Sequence, residues 1–211
     1  MASSNFVYRY VVEKNHEKFL YVNLTNRCTN RCSFCIRNSA EGVGNNTDLW
    51  LTHEPSAEEV IAALKKEDIS SFEEIVFCGY GEPTIRIDPL LKISKWLKDN
   101  YACSIRINTN GQGSKFHNRD ITPDMEGLID TLSISLNASN AASYQQTCHS
   151  IYGEEAYDIL LDFAKKAKMH VPNVILSIVD ILPETEIAAC RKVAQSVGCK
   201  LKVREYIDNE A

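Results

Sequence analysis

The chain has 211 residues, 44% of them hydrophobic, and carries a net charge of −5 with a pI near 5.6. This length supports one domain with a sizeable core. The acidic balance supplies no global positive field to draw the chain to nucleic acid or an anionic membrane, and no apolar run approaches the roughly 20 residues of a membrane helix.

Residues 1–20 lack both a basic start and a continuous apolar stretch, so the expected location is the cytoplasm. Eight cysteines in a reducing compartment are thiols open to metal rather than a disulfide framework.

In chain order, "FVYRYVV" (6–12) is a strand pattern expected to form a short N-terminal hairpin with the next one, "FLYVNLT" (19–25). Five more strand patterns follow: "EEIVFCG" (73–79), "SIRINTN" (104–110), "DTLSISLN" (130–137), "VILSIVD" (174–180) and "LKVREYI" (201–207). Amphipathic helices lie between them. Ser56 and Glu59 form a capping box after Pro55, and Asp88 with Pro89 predicts a helix start. Apolar spacing of three and four marks Ile159, Leu160, Phe163, Ala164 and Ala167 as one helix face. Ile187, Cys190, Ala194 and Val197 mark another, ended by Gly198. Strand and helix in alternation predict an α/β fold with a parallel sheet. No repeat, low-complexity tract or linker interrupts it.

Side chains alternate along a strand, so these strands have two faces. Leu20, Val22, Leu24, Ile105, Ile107, Leu132, Ile134, Leu136, Leu201 and Val203 form the set that would meet helices. The opposite set is polar almost throughout: Tyr21, Asn23, Thr25, Ser104, Arg106, Asn108, Asn110, Ser133, Ser135, Asn137, Lys200, Lys202, Arg204 and Tyr206. A wet antiparallel face would look the same. With helices covering the sheet, the expectation is a barrel or half barrel with a polar, ligand-filled lumen.

"CTNRCSFC" (28–35) gathers three thiols in eight positions. Thiolates suit zinc or iron–sulfur clusters, and structural zinc usually has four protein ligands. The other cysteines are scattered singly, and His53, the nearest downstream imidazole, has no partner histidine. Three thiolates on a cubane leave one iron open to a chelating small molecule. A non-catalytic zinc or electron-transfer module is the alternative.

The Cys-x3-Cys-x-aromatic-Cys spacing, directly after a strand, resembles the signature of the radical S-adenosylmethionine (SAM) enzymes. "GYGEP" (79–83) is similar to the Gly-Gly-Glu segment with which they hold the methionyl amino group, Tyr80 standing where a small residue is usual. "NTNG" (108–111) and "SLNA" (135–138) match further strand ends. Together "NRCTNRCSFCIRN", "VFCGYGEPTIR", "RINTNG" and "VREYI" resemble the TatD-associated radical SAM proteins.

The resemblance implies a partial (β/α)6 TIM-like barrel with a short N-terminal hairpin strand, a single radical SAM core domain over 1–211. It also implies an enzyme whose [4Fe-4S] cluster reductively cleaves SAM to a 5′-deoxyadenosyl radical that abstracts hydrogen from a substrate. By the same resemblance Cys28, Cys32 and Cys35 hold the cluster and Glu82 takes the methionyl ammonium, with Gly79, Tyr80 and Gly81 beside it. Asn108, Ser135 and Asn137 contact carboxylate or ribose, and Phe34 packs near the adenine. An electron donor such as flavodoxin or ferredoxin is implied, with a link to a TatD-type hydrolase. A protein substrate, as in glycyl-radical activating enzymes, is the other reading. Arg106, Lys202 and Arg204 share the inner face and suggest an acidic or phosphorylated substrate, a counter-charge for the cofactor, or a solvated terminal strand. The loop 36–50 is placed to close over the site.

Overall fold

The computed structural model describes residues 6–12, 17–38 and 49–205. The elements are β1 (Val7–Val12), β2 (Glu17–Val22), α1 (Ala57–Leu64), β3 (Glu74–Phe77), α2 (Ile87–Asn100), β4 (Ser104–Thr109) and α3 (Gly113–Phe116). They continue with β5 (Thr131–Ser135), α4 (Ala141–Cys148), α5 (Glu155–Ala167), β6 (Asn173–Val179), α6 (Glu184–Ser196) and β7 (Lys200–Arg204). One seven-stranded sheet runs in sequence order, β1 to β7. β1 is antiparallel to β2, and every later pairing is parallel. The sheet is open, its edges being β1 and β7, as expected of a partial barrel with an N-terminal hairpin.

The apolar set of the strands packs under the helices. Leu20, Val22, Ile105, Ile107, Leu132, Ile134, Leu176 and Ile178 are buried with Val60, Leu90, Leu160, Phe163 and Cys190 from α1, α2, α5 and α6. Each such aliphatic or aromatic side chain contributes about 2 kcal/mol by leaving water. The capping box of α1 is formed: Ser56 accepts from the Glu59 N–H, and Glu59 accepts from the Ser56 N–H. Gly198 follows α6 at φ +68°, where a Cβ would be strained.

Several boundaries differ from the sequence expectation. α2 begins at Ile87 rather than at an Asp88 cap, because a 3-10 turn over Pro83–Arg86 runs straight into it and carries Ile85 and Ile87 into the interior. Pro89 still falls in the first turn, where a missing N–H costs nothing. β5 stops at Ser135, and Asn137 adopts the left-handed region at φ +54°, which a short polar side chain tolerates. β2 ends at Val22, so Asn23 and Thr25 lie past it. α4, for which no start signal was identified, is capped by Asn140 accepting from the Ser143 N–H. Tyr206 and positions 39–48 of the 36–50 loop lie outside the described residues. Among the described residues no helix is long and apolar enough to cross a membrane.

Candidate active site

The cysteine loop leaves the C-terminal end of β2 and is fastened on two sides. On one side Arg31 N–H donates to the Cys148 carbonyl (2.9 Å) and Ser33 N–H to the Thr147 carbonyl (3.0 Å). These are last-turn carbonyls of α4, which have no partner within their own helix. On the other side a buried amide and hydroxyl network holds it. Asn30 Nδ2 donates to Tyr144 Oη (2.9 Å), Gln112 Nε2 to Asn30 Oδ1 (2.9 Å), and Ser150 Oγ to Gln112 Oε1 (3.0 Å). Asn110 Nδ2 donates to Thr29 Oγ1 at 2.8 Å and lies 3.8 Å from Cys28 Sγ.

All three motif thiols are half-buried on this loop. Burial, then the nearby Glu82 carboxylate, pushes Cys28 up to about 12. The Cys32 thiol is pushed well up by its hydrogen bond to Cys148 and by burial, and Cys35 is raised by burial. Cys32 interacts electrostatically with both of the others. Among the described residues no three His, Cys, Asp or Glu side chains converge as ligands of a single metal ion. A cubane, which takes each thiolate on a different iron, asks for a wider triangle than one ion does. Soft, grouped thiols on one loop fit that group chemically.

"GYGEP" crosses directly against this loop. The Glu82 N–H donates to the Arg27 carbonyl at 2.8 Å. A Cβ at Gly81 would stand 2.2 Å from the Thr25 carbonyl oxygen, and one at Gly79 would stand 2.2 Å from Asn23 Oδ1. The glycines therefore admit the chain's own backbone and side chains. Tyr80 is buried with Tyr8 and Leu49, edge-on to Trp50 at 5.1 Å, so it packs toward the hairpin side.

Glu82 itself is buried. Its Oε1 accepts from Thr84 N–H (3.0 Å), Thr84 Oγ1 (2.6 Å) and Thr109 Oγ1 (2.7 Å), and its Oε2 from Asn110 N–H (2.7 Å). Burial raises its carboxyl against the pull of these donors. Oε2, with one bond, retains acceptor capacity.

Around the strand mouths lie buried polar atoms without partners. Of the six that lack a hydrogen bond among the described residues, five are on Asn23, Arg106, Asn108, Asn137 and Arg204, all in the polar strand set, and of these Arg106 alone has an ion-pair partner, Glu74. Buried polar atoms ordinarily find a partner, so this concentration leaves hydrogen-bonding capacity that a polar ligand could satisfy. Asn137 Nδ2 meets Cys148 Sγ at 3.7 Å while its Oδ1 stays free. Ser135 is half-buried on the same face, and Phe34 is half-buried against the main core. A cavity of about 370 Å³ opens beside Cys28, bordered by Asn30, Arg31, Arg37 and His149.

Sequence reading placed Asn110 in the polar lumen set but did not single out Cys148, Thr109, Gln112 or Tyr144 as site groups. Three of these belong to α4 or to the turn after β4, and their side chains look like ordinary turn and helix residues until the fold brings them to the loop.

The base of the loop is tied by Glu54. It accepts from Thr25 Oγ1 (2.5 Å), Arg27 Nε (2.7 Å) and Arg86 Nη1 (2.8 Å). Burial pulls its carboxyl up, but the hydrogen bonds from Arg27 and Thr25 and both guanidinium charges outweigh it and hold Glu54 at about 2. The unfolded value is about 4.3, so this stabilisation is complete above it and is lost as pH falls toward 2. Arg27 is mostly exposed and Glu54 about a third exposed, so screening limits the gain to about 1 kcal/mol. Urea unfolding at a series of pH values is expected to show wild type losing about that much more than Glu54→Gln between about pH 5 and 3. Parallel curves would refute the tie.

A family model described as the Radical SAM superfamily matches residues 22–190. No curated protein matches significantly. Among solved structures, SuiB of Streptococcus suis bound to S-adenosylmethionine aligns with TM-score 0.59 and 14% identity, over 90% of this chain and 39% of its own. The FeFe-hydrogenase maturase HydG of Carboxydothermus hydrogenoformans aligns with TM-score 0.63 and 17% identity, over 89% and 44%. The chain thus spans less than half the length of either. At these identities the likeness is one of fold.

Proposed function

The chain belongs to the radical SAM superfamily, a family of enzymes that use a [4Fe-4S] cluster and SAM, and on that premise we propose that Cys28, Cys32 and Cys35 are its cluster ligands and the strand mouths its SAM site. The observation that carries this reading is the set of partnerless buried amide oxygens on Asn23, Asn108 and Asn137, at the end of the sheet from which the cysteine loop leaves. Held by Cys28, Cys32 and Cys35, a cluster would supply the single electron that splits SAM into methionine and a hydrogen-abstracting adenosyl fragment, with the substrate in the lumen as hydrogen source.

The residues of this chain bind and orient. Glu82 Oε2 has the spare lone pair for a methionyl ammonium, and a carboxylate makes the stronger, charge-assisted bond. Its other contacts lock its position before any ligand arrives. Asn108 and Asn137 offer buried carbonyl oxygens to ribose hydroxyls, with Ser135 on the same face. Gly79 and Gly81 let the loop and "GYGEP" approach closely enough to wall out water, and Phe34 covers the apolar side.

Electrons would arrive from a small acidic carrier such as flavodoxin or ferredoxin. Arg31 and Arg37 beside Cys28 give that end of an acidic protein a basic rim. The motif resemblance supports a place among the TatD-associated proteins, with a TatD-type hydrolase as neighbour.

A second reading has one specific support. Cys148 lies beside Cys32, close enough for the two thiols to perturb each other, so it is the fourth thiol that a non-catalytic four-thiolate module would recruit. One experiment separates the two. Protein reconstituted anaerobically is incubated with SAM and dithionite, and 5′-deoxyadenosine is measured in wild type, Cys32→Ala and Cys148→Ser. The expected result is product from wild type and Cys148→Ser, and none from Cys32→Ala. A cluster that wild type holds but Cys148→Ser cannot, together with no product from wild type, would establish the module instead.

A further inference from the structure

The cations of the inner face are not equivalent. Lys200 and Lys202 on β7 are exposed to water. Arg106 on β4 is half-buried but matched: its Nε lies 2.9 Å from Glu74 Oε2, close enough for an ion pair though not aligned for a hydrogen bond, and its guanidinium sits 5.4 Å from the centre of the Phe19 ring.

Arg204 differs. It ends β7, the edge strand, in register with Val179 of β6. Its side chain is largely withdrawn from water, and its Nε is fully buried without a partner. Among the described residues no carboxylate pairs with it. Its surroundings are Cys78, Tyr21, Arg106 and Cys32, groups from β4 and from the segments at the far side of the open sheet. The guanidinium is therefore within electrostatic range of groups on β2, at the end of β3 and on β4 as well as of its own edge.

A buried cation without a counter-ion is costly, since desolvation is not repaid. Guanidinium groups are suited to carboxylate and phosphate, which they grip through two parallel N–H bonds. Here the partnerless oxygens of the mouth, on Asn23, Asn108 and Asn137, are acceptors; they can take hydroxyl or ammonium donors but not an anion, so the lumen presents separate places for hydroxyls and for an anion. Resting on the radical SAM reading for its chemistry, we propose that Arg204 is the substrate-recognition residue of the lumen and that the substrate bears a carboxylate or phosphate group.

The test reads stability and anion binding as well as SAM binding. Reconstituted wild type and Arg204→Met are compared in phosphate-free buffer by thermal unfolding, alone and with millimolar inorganic phosphate or succinate, and by SAM titration. Removal of the unpaired charge is expected to raise Tm by about 2–4 °C. At least one anion is expected to raise the Tm of wild type and leave the variant unmoved; phosphate or succinate, whichever acts, identifies the group. SAM affinity is expected to stay within twofold. A fall in Tm would make the guanidinium a structural group. Equal or absent anion responses, or lost SAM binding, would likewise overturn the assignment, the last by giving the cofactor's own carboxylate to Arg204. Anion binding through Arg204 in a protein that forms no 5′-deoxyadenosine would sink the radical chemistry and leave this pocket standing.

Discussion

Gly81→Ala is expected to destabilise the protein by about 3 kcal/mol or more, at the upper end of what overpacking costs, and to abolish 5′-deoxyadenosine formation. The new Cβ would lie 2.2 Å from the Thr25 carbonyl oxygen and 2.6 Å from that of Arg27. Both are backbone atoms, and the second accepts the Glu82 N–H, so neither can move without opening the joint between "GYGEP" and the cysteine loop. Two other glycines calibrate the claim. At Gly79 the obstruction is the Asn23 side chain: its Oδ1 and Cγ can swing away at the expense of the bond to the Leu49 carbonyl, and only its Cβ, 2.7 Å off, asks for a small backbone shift; the cost should be smaller than at Gly81. At Gly127 nothing lies within 4 Å, and only its φ of +71° opposes a side chain, which costs about 1–2 kcal/mol. Denaturant unfolding should rank the three as Gly81, Gly79, Gly127 from worst to mildest. A Gly81→Ala protein as stable as Gly127→Ala would show that the close approach does not exist in solution.

How far such a joint was legible beforehand depends on the kind of signal. Alternation in "SIRINT" and "LSIS" gave both faces of β4 and β5 correctly, because a period of two is local and survives any packing. The capping box of α1 and the Gly198 stop were equally local. α4 escaped notice because "AASYQQTC" has no strong apolar face: only Tyr144 and Cys148 are buried in it. Its place is set by tertiary bonds to the cysteine loop, which no window of sequence contains. The Asp88 start failed for a similar reason, burial of Ile85 and Ile87 extending the turn ahead of it.

The site divides in the same way. Spacing found the three thiols and the "GYGEP" turn, since both are contiguous. It did not find Cys148 beside Cys32, because those positions are joined only when α4 docks. The inner-face arginines were grouped together by register, yet Glu74 neutralises Arg106 and water takes Lys202. Only the fold separates Arg204 from them.

Glu82→Gln is expected to cost about 2–4 kcal/mol even without SAM, the range for breaking a buried bond to a charged group and stranding its donor. Three donors converge on Oε1 and a fourth, the Asn110 N–H, on Oε2. The amide oxygen of glutamine would turn to the crowded side, leaving its NH2 facing the Asn110 N–H, donor against donor. Asn110 also bonds Thr29 and borders Cys28, so the damage reaches the cysteine loop. Thermal unfolding should show a Tm about 5–15 °C lower, and SAM affinity should fall at least tenfold, because the charged acceptor for the ammonium is gone and its neighbours are displaced. Glu82→Asp separates the two contributions: it keeps the charge but is one methylene short of Thr109 and Asn110. If SAM binding needs only a well-packed turn, Gln and Asp variants of equal stability will bind equally; if Oε2 meets the ammonium, Asp will bind more tightly than Gln at matched Tm.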